Sequence, residues 1–430
     1  MLVLTITALL LALILLRIPI AFAILISGIV GLLALGGPAD VIGVLMTIPQ
    51  SAVSNNSLAA IPLFILMAQF VLHSGALSSL FDSAKVLVGR MRGGTAHAAV
   101  GAGAIFAAVS GSSTAAAATL AHTSTGELIR QGYDKRLSAG VVAAAGTLAA
   151  MIPPSVLLIF YAITAEAGVG PTLIAGIIPG LLVAVALVIT ITILITFNSS
   201  SAPRGEASTG REKFRSLAGL LPIAALFIIV VGLVFLGVTT ATEAAAVGCL
   251  GALGLMLGKK KLNWTNLTKS FAEALSSSIM ILTIIMAAHV FGHFITESQV
   301  TPHLVDSLSA LPIAPIVIVA IIAFGYLILG FFMDQMAIIA LTVPVTLPVV
   351  TELGFDPIWF GIVVILLAEI GLITPPLGLN VFVVAQAARM PVEDVFRGSI
   401  PFVFAILAVG VLLFAFPQIV LILPEMMGSL

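Results

Sequence analysis

Only 8% of the 430 residues are charged, and a single cysteine, Cys249, stands in an apolar stretch. The shortage of charge excludes a water-soluble globular fold, which coats its outer faces with about 25% Asp, Glu, Lys and Arg. One cysteine excludes an internal disulfide, a thiolate metal cage and a redox pair. Seventeen Lys and Arg against eighteen Asp and Glu leave a net charge of −1, which speaks against nucleic acid or another polyanion as a partner. Two Trp and three Tyr are too few for an aromatic belt that could fix the membrane boundaries. The sequence has no Gly-rich phosphate loop ending in Lys-Ser or Lys-Thr, and no soluble segment large enough to hydrolyse ATP. Uphill transport would therefore draw on an ion gradient.

What fills the chain is apolar: 60% of residues are hydrophobic and the mean hydropathy is +1.27. That composition predicts an all-α polytopic membrane protein set in a lipid bilayer. Residues 1–16 have no basic residues ahead of them and no small-residue cleavage site behind, so they read as a retained first membrane segment. Apolar runs predict spans near 2–16, 18–36, 58–76, 138–163, 172–197, 218–236, 242–258, 272–296, 358–385 and 399–423. Two blocks, 94–129 and 312–351, are too long for one crossing. As straight helices each would take about 50 Å, against a hydrocarbon core of about 30 Å.

The basic residues assign sides. Arg17, the group Lys85–Arg90–Arg92, the group Arg130–Lys135–Arg136, the linker arginines, Lys259–Lys261 and Arg389–Arg397 mark cytoplasmic segments, whereas 37–57, 164–171, 237–241, 297–311 and 352–357 contain no Lys or Arg. Both termini fall on the periplasmic side. Block 94–129 begins and ends inside, and block 312–351 begins and ends outside. Two close spans would give the same sidedness, but each block has a polar centre, Ser110-Gly-Ser-Ser-Thr114 and Met333-Asp-Gln335, suited to a buried turn. Re-entrant hairpins are therefore expected. Residues 1–198 then read as three spans, an inside-facing hairpin and two spans. After a cytoplasmic linker at 199–217, residues 218–430 repeat that order with an outside-facing hairpin. Such an inverted repeat is an architecture of secondary transporters.

The span after each hairpin carries a Pro-Pro pair: Gly146-Thr-Leu-Ala-Ala-Met-Ile-Pro-Pro-Ser155 and Gly371-Leu-Ile-Thr-Pro-Pro-Leu-Gly-Leu-Asn380. Proline removes backbone donors and breaks the helix, leaving carbonyls that in lipid must line a cavity or meet a cation. At the first tip, Ser110, Gly111, Ser112, Ser113 and Thr114 precede a helical run. Its free N–H groups and positive dipole end suit an anion such as a carboxylate, and the preceding carbonyls with the Ser hydroxyls suit a hard cation. Tight helix packing by small residues is the plainer explanation. Asp334 caps the second hairpin's return leg, neutralises a cation or carries a proton. Glu369 is either a functional acid or a buried carboxyl making one hydrogen bond. Glu243, after Thr240, reads as a helix cap. His289 and His293 share a face with Glu297, but three ligands strung along about 12 Å of one helix cannot surround an ion. Asn55, Asn56 and Ser57 read as a capped helix start. Ser110 with His122 would make a hydrolase only if an acid oriented the histidine, and none is evident.

Five motifs occur in order: Gly103-Ala-Ile-Phe-Ala-Ala-Val-Ser-Gly-Ser-Ser113, Gln131-Gly-Tyr-Asp134, Ala139-Gly-Val-Val-Ala-Ala-Ala-Gly-Thr147 followed by Ile152-Pro-Pro-Ser155, Thr240-Ala-Thr-Glu-Ala-Ala-Ala-Val247, and Gly371 to Asn380 as above. Together they resemble the large membrane subunit of tripartite ATP-independent periplasmic (TRAP) transporters over essentially the whole chain. The resemblance implies a bacterial or archaeal inner membrane, Na⁺ as coupling ion and an elevator mechanism. It also implies a small four-helix membrane subunit on a separate chain, and a periplasmic substrate-binding protein that delivers an organic acid such as a C4-dicarboxylate or sialic acid. It places one cation site at Ser110, Ser112, Ser113, Gly146, Thr147 and Pro153, and another at Met333, Asp334, Gly371, Thr374, Pro376 and Asn380. Where the family is often Gly-rich before the first Pro-Pro, this chain has Leu148-Ala-Ala-Met151. The substrate carboxylate is expected against Ser112, Ser113, Thr114, Ser155, Asp334 and Asn380. A stand-alone proton- or Na⁺-coupled organic-anion carrier is the near alternative, and an intramembrane hydrolase the distant one.

Overall fold

The computed structural model describes residues 1–54, 56–198, 202–203, 209–300, 302 and 313–428. Asn55, the linker residues 199–201 and 204–208, most of the base-free stretch 297–311 and the first residue of the second long block therefore lie outside the described residues. Among the described residues the regular elements are helices, without strands. This is the outcome the composition demands, since a span in lipid must satisfy its backbone internally. Among the described residues, seven helices are long and apolar enough to cross a bilayer, or eight if Lys135–Met151 and Val156–Thr164, bent by 44° at their break, count as one span.

Three pairings form a wall of helices. Ile20–Leu35 packs along Trp264–Glu297, and Ala60–His73 packs against both Ala241–Gly258 and Trp264–Glu297. Gly31 makes the first of these close: a Cβ there would sit 2.5 Å from the Phe294 ring. A second group, among them Gly94–Ser110, Ser113–Leu120, Ile177–Phe197 and Val392–Ala415, packs around Lys135–Met151, whose residues from Leu137 to Met151 are all buried. That segment is rich in Ala and Gly, and small residues let membrane helices approach until their backbones touch. At Gly140 a Cβ would lie 2.1 Å from the Gly398 carbonyl oxygen.

Both long blocks turn back on themselves. Gly94–Ser110 runs in, the chain turns at Gly111, and Ser113–Leu120 begins the return, which continues to Arg130. The ends of this excursion touch: Thr95 Oγ1 donates to Gln131 Oε1 at 2.6 Å, and the Thr95 N–H donates to the Tyr133 hydroxyl at 3.2 Å. Pro315–Gly330 and Gln335–Glu352 form the second excursion, laced by the Tyr326 and Thr346 hydroxyls at 2.7 Å. Gln335–Glu352 has the length and composition of a span, yet it starts at an interior turn. Length alone cannot separate a hairpin leg from a crossing.

The legs pack in a crossed pattern. The first return leg, Ser113–Leu120, rests on Lys135–Met151 and on Leu379–Ala388. The second, Gln335–Glu352, rests on Pro357–Gly371 and on Val156–Thr164. Each hairpin thus touches the leading half of its own broken helix and the trailing half of the other.

Some spans differ from expectation. Leu2–Leu15 is 14 residues, roughly 21 Å of helix, too short to cross alone. The stretch expected as an external loop at 37–57 contains the helix Gly37–Ser54, started by Pro38 and an acidic first turn at Asp40. The segment between Ala60–His73 and the first hairpin holds the amphipathic helix Ala76–Val88, which packs on the hairpin's outgoing leg. The span expected at 358–385 is two helices, Pro357–Gly371 and Leu379–Ala388.

Candidate functional site

The site is assembled where the two tips meet the two breaks. Gly111 takes φ +59, which an L side chain adopts only with strain, and a Cβ there would lie 2.9 Å from the Val156 backbone nitrogen. The first tip is thereby pressed onto the restart of the first broken helix. Ser112 is the N-cap of the return leg, its side chain accepting from the Ala115 N–H. At the second tip Asp334 is the N-cap, with Oδ1 accepting from the Met336 N–H at 2.9 Å. Both caps occupy one of the free N–H groups of a helix start and leave others facing outward from the tip.

The first residue of each return leg reaches the same acceptor. Ser113 Oγ donates to Glu369 Oε1 at 2.5 Å, and Gln335 Nε2 donates to that same oxygen. Glu369 lies in the last turn before the second break and is wholly buried. Its other oxygen, Oε2, has no hydrogen-bond partner, and neither do Ser110 Oγ or the Asn380 side-chain amide, all of them buried. A buried polar atom left unsatisfied costs about 1–3 kcal/mol. Three residues with such atoms, Ser110, Glu369 and Asn380, belong to the first tip and the second broken helix.

A cavity of about 420 Å³ opens beside the tips. Ser110 to Ala115 and Asp334 to Met336 form one side of it, and Ala68, Gln69, Leu72 and Ile281 of the long-helix wall form the other. It runs to Pro19 and Ile20, beside Arg17. A second cavity of about 450 Å³ lies further along Trp264–Glu297, between His289, His293, Thr296 and the Glu166 loop, and no tip residue reaches it. Of these two cavities, the first is the one lined by the helix starts of the hairpin tips.

The expected site residues divide into groups. Ser110, Ser112, Ser113, Thr114 and Asp334 come together around the tip cavity. Ser155 does not line it: wholly buried, it caps Val156–Thr164 by accepting from the Leu158 N–H at 3.3 Å. Asn380 is buried with its amide unpartnered, and its backbone N–H donates to the Leu372 carbonyl at 3.0 Å. Gly146 and Gly371 are contact glycines. A Cβ would stand 2.8 Å from Ala117 at the first and 2.0 Å from the Gly330 oxygen at the second, so each broken helix touches its own hairpin. Thr147 and Thr374 donate to their own helices, at Ala144 O (2.7 Å) and Ile370 O (2.6 Å). Pro153 is buried and lines a small crevice against Phe64 and Val230, whereas Pro376 is exposed. Met333 is half-buried next to the second cap. The expected site residues left out Glu369, weighed only as an acid inside an apolar span, and Gln335, named only in the second tip's polar centre.

Residues with other readings are also placed. Ser110 Oγ makes no hydrogen bond to His122, so the pair lacks the contact a hydroxyl nucleophile needs with its base. Glu243 and Thr240 form a reciprocal capping box. His293 Nε2 sits 3.8 Å from Glu297 Oε1 along the helix, and His289 Nδ1 lies 2.9 Å from the Ile285 carbonyl.

A family profile described as the DctM component of the tripartite ATP-independent periplasmic transporter matches residues 7–419. The chain belongs to this family. The DctM-type relatives include the C4-dicarboxylate TRAP transporter large permease protein DctM of Pseudomonas aeruginosa, 35% identical over 373 residues, covering 86% of this chain and 87% of that one. The sialic acid TRAP transporter large permease protein SiaM of Vibrio cholerae is 32% identical, covering 87% of each chain. The isethionate TRAP transporter permease protein DctMQ of Oleidesulfovibrio alaskensis is 31% identical over 91% of this chain, which spans 61% of that longer protein. The solved structure of the Alcanivorax borkumensis YdaH transporter superposes with a TM-score of 0.67 at 16% identity, covering 89% of this chain and 90% of that one. That likeness is one of fold. As a DctM-family protein the chain is a multi-pass transporter component and not an enzyme.

Proposed function

We propose that this DctM-family subunit carries an organic acid across the bacterial or archaeal inner membrane, coupled to Na⁺ as co-transported cargo. The observation that supports this reading is the meeting of two capped helix starts at one cavity, with unpartnered buried oxygens around them. Helix starts present N–H donors and a positive field to a carboxylate. Ser110, Ser112, Ser113 and Asp334 offer hard oxygen ligands to a cation, as do the carbonyls freed at the Pro-Pro breaks near Gly146, Thr147, Pro153, Gly371, Thr374, Pro376 and Asn380. A cation bound first would offset the charge of the acid. Ser112, Ser113, Thr114 and Asp334 are the nearest groups to such an acid in the cavity. Ser155 and Asn380 would act from behind the tips.

In this reading the two repeats are inverted, and the hairpins with their broken helices slide as one body against the long-helix wall. A small four-helix membrane subunit would complete that wall, and a periplasmic binding protein would deliver the acid. With Arg17 on the cytoplasmic side, the tip cavity opens inward. The names of relatives point to C4-dicarboxylates or sialic acid as the class of substrate. The test is uptake of labelled organic acids by proteoliposomes containing the complex and its binding protein. We expect uptake to stop when choline replaces Na⁺ with the proton gradient collapsed. Uptake that persists in choline would remove Na⁺ coupling, and uptake without the binding protein would favour a stand-alone carrier.

A further inference from the structure

We propose that Glu369 is a positioning residue that yokes the two hairpin tips, so that ordering one tip orders the other. The inference rests on the reading of the tips as the cargo site and adds how they act together. Its observations are geometric. Ser113 and Gln335 occupy the same place in their hairpins, each the first helical residue after its N-cap, Ser112 and Asp334. Both donate to one oxygen of one carboxyl group, from hairpins that are otherwise far apart in sequence. All three residues are buried, at 5%, 8% and 0% exposure, so the shared bonds are made away from bulk solvent.

The yoke is single. Glu369 stands six residues before Pro375, and the residue six before Pro153 is Thr147. Thr147 spends its hydroxyl on Ala144 of its own helix and reaches neither tip. Among the described residues, only the second broken helix therefore joins the two tips through a side-chain hydrogen-bond acceptor. An acceptor shared by two donors couples them: when one donor leaves, the carboxyl loses the bond that fixed its orientation, and the other donor loses its aligned partner. The free N–H groups that line the cavity belong to the same two helix starts. A change at either tip is thereby felt at both.

The test is a double-mutant cycle read at the first tip. A cysteine replaces Ala115, which lines the cavity, in a Cys249→Ala background, and its rate of modification by a small maleimide is measured on the purified full-length protein. Gln335→Ala, a change in the other hairpin, is expected to raise that rate several-fold when Glu369 is present. It is expected to leave the rate unchanged when Glu369→Ala is already in place. Glu369→Gln keeps an oxygen that can accept from both donors and is expected to restore the response to Gln335→Ala. Size-exclusion profiles and melting temperatures identify variants that fail to fold, and the Gln variant keeps the test open if the Ala variant does. No response to Gln335→Ala, the same response without Glu369, or no restoration by Gln would each overturn the yoke. Na⁺-independent uptake by the unsubstituted protein would instead refute the coupling reading and leave the labelling result standing.

Discussion

At the scale of single residues, the glycines divide into those the fold uses and those it merely contains. Gly371 faces the Gly330 carbonyl so closely that a methyl group would overlap it, while Gly254 has open space where its Cβ would be. Gly371→Ala should therefore lower the melting temperature in detergent, by the equivalent of about 1–3 kcal/mol of overpacking. Gly254→Ala should leave it unchanged or raise it slightly, because alanine is the better helix former by about 1 kcal/mol. Asp334 separates capping from charge. Asp334→Asn keeps an oxygen to accept from the Met336 N–H, so the fold should persist while the Na⁺ concentration for half-maximal uptake rises. An unchanged Na⁺ activation curve would confine Asp334 to capping.

At the scale of elements, the base of the first hairpin is held by a cluster of polar side chains. Glu127 pairs with Lys85 at 2.8 Å and also with Arg130, while Thr95 meets Gln131. Glu127→Gln should loosen the return leg locally, by about 1 kcal/mol, roughly a fivefold faster amide exchange over 113–130. Exchange in Gly210–Phe235 should not change. Here the sequence was informative: basic residues on both sides of 94–129 predicted ends on one side of the bilayer, and Thr95 and Gln131 meet. The Pro-Pro pairs likewise mark breaks, because missing N–H groups interrupt a helix wherever they fall. Gly37–Ser54 and Ala76–Val88 escaped, because short helices of mixed polarity lack the uninterrupted apolar run that reveals a span. Glu369 was visible as an anomaly, but its partners come from positions 113 and 335. Contacts across such distances leave no local pattern. Ser155 shows the converse, since a serine beside a break looks like a ligand until its hydroxyl is found capping the next helix.

At the scale of the molecule, the crossed packing of each return leg onto the other broken helix makes hairpins and breaks one body. The opposing wall is made of Ile20–Leu35, Ala60–His73, Ala241–Gly258 and Trp264–Glu297, and the cavity lies between the two. In the proposed function that body moves against the wall and exposes its tips to one side at a time, and the cavity the tips line extends to Pro19 and Ile20, next to Arg17 in sequence. The most direct measurement is sided labelling of a cysteine at Ser112→Cys, in a Cys249→Ala background, using a membrane-impermeant thiol reagent on oriented proteoliposomes. The proposed function predicts modification from the face bearing Arg17 in the absence of cargo, slowed when Na⁺ and the transported acid are supplied together. Equal modification from both faces, or a rate indifferent to Na⁺ and acid, would contradict it.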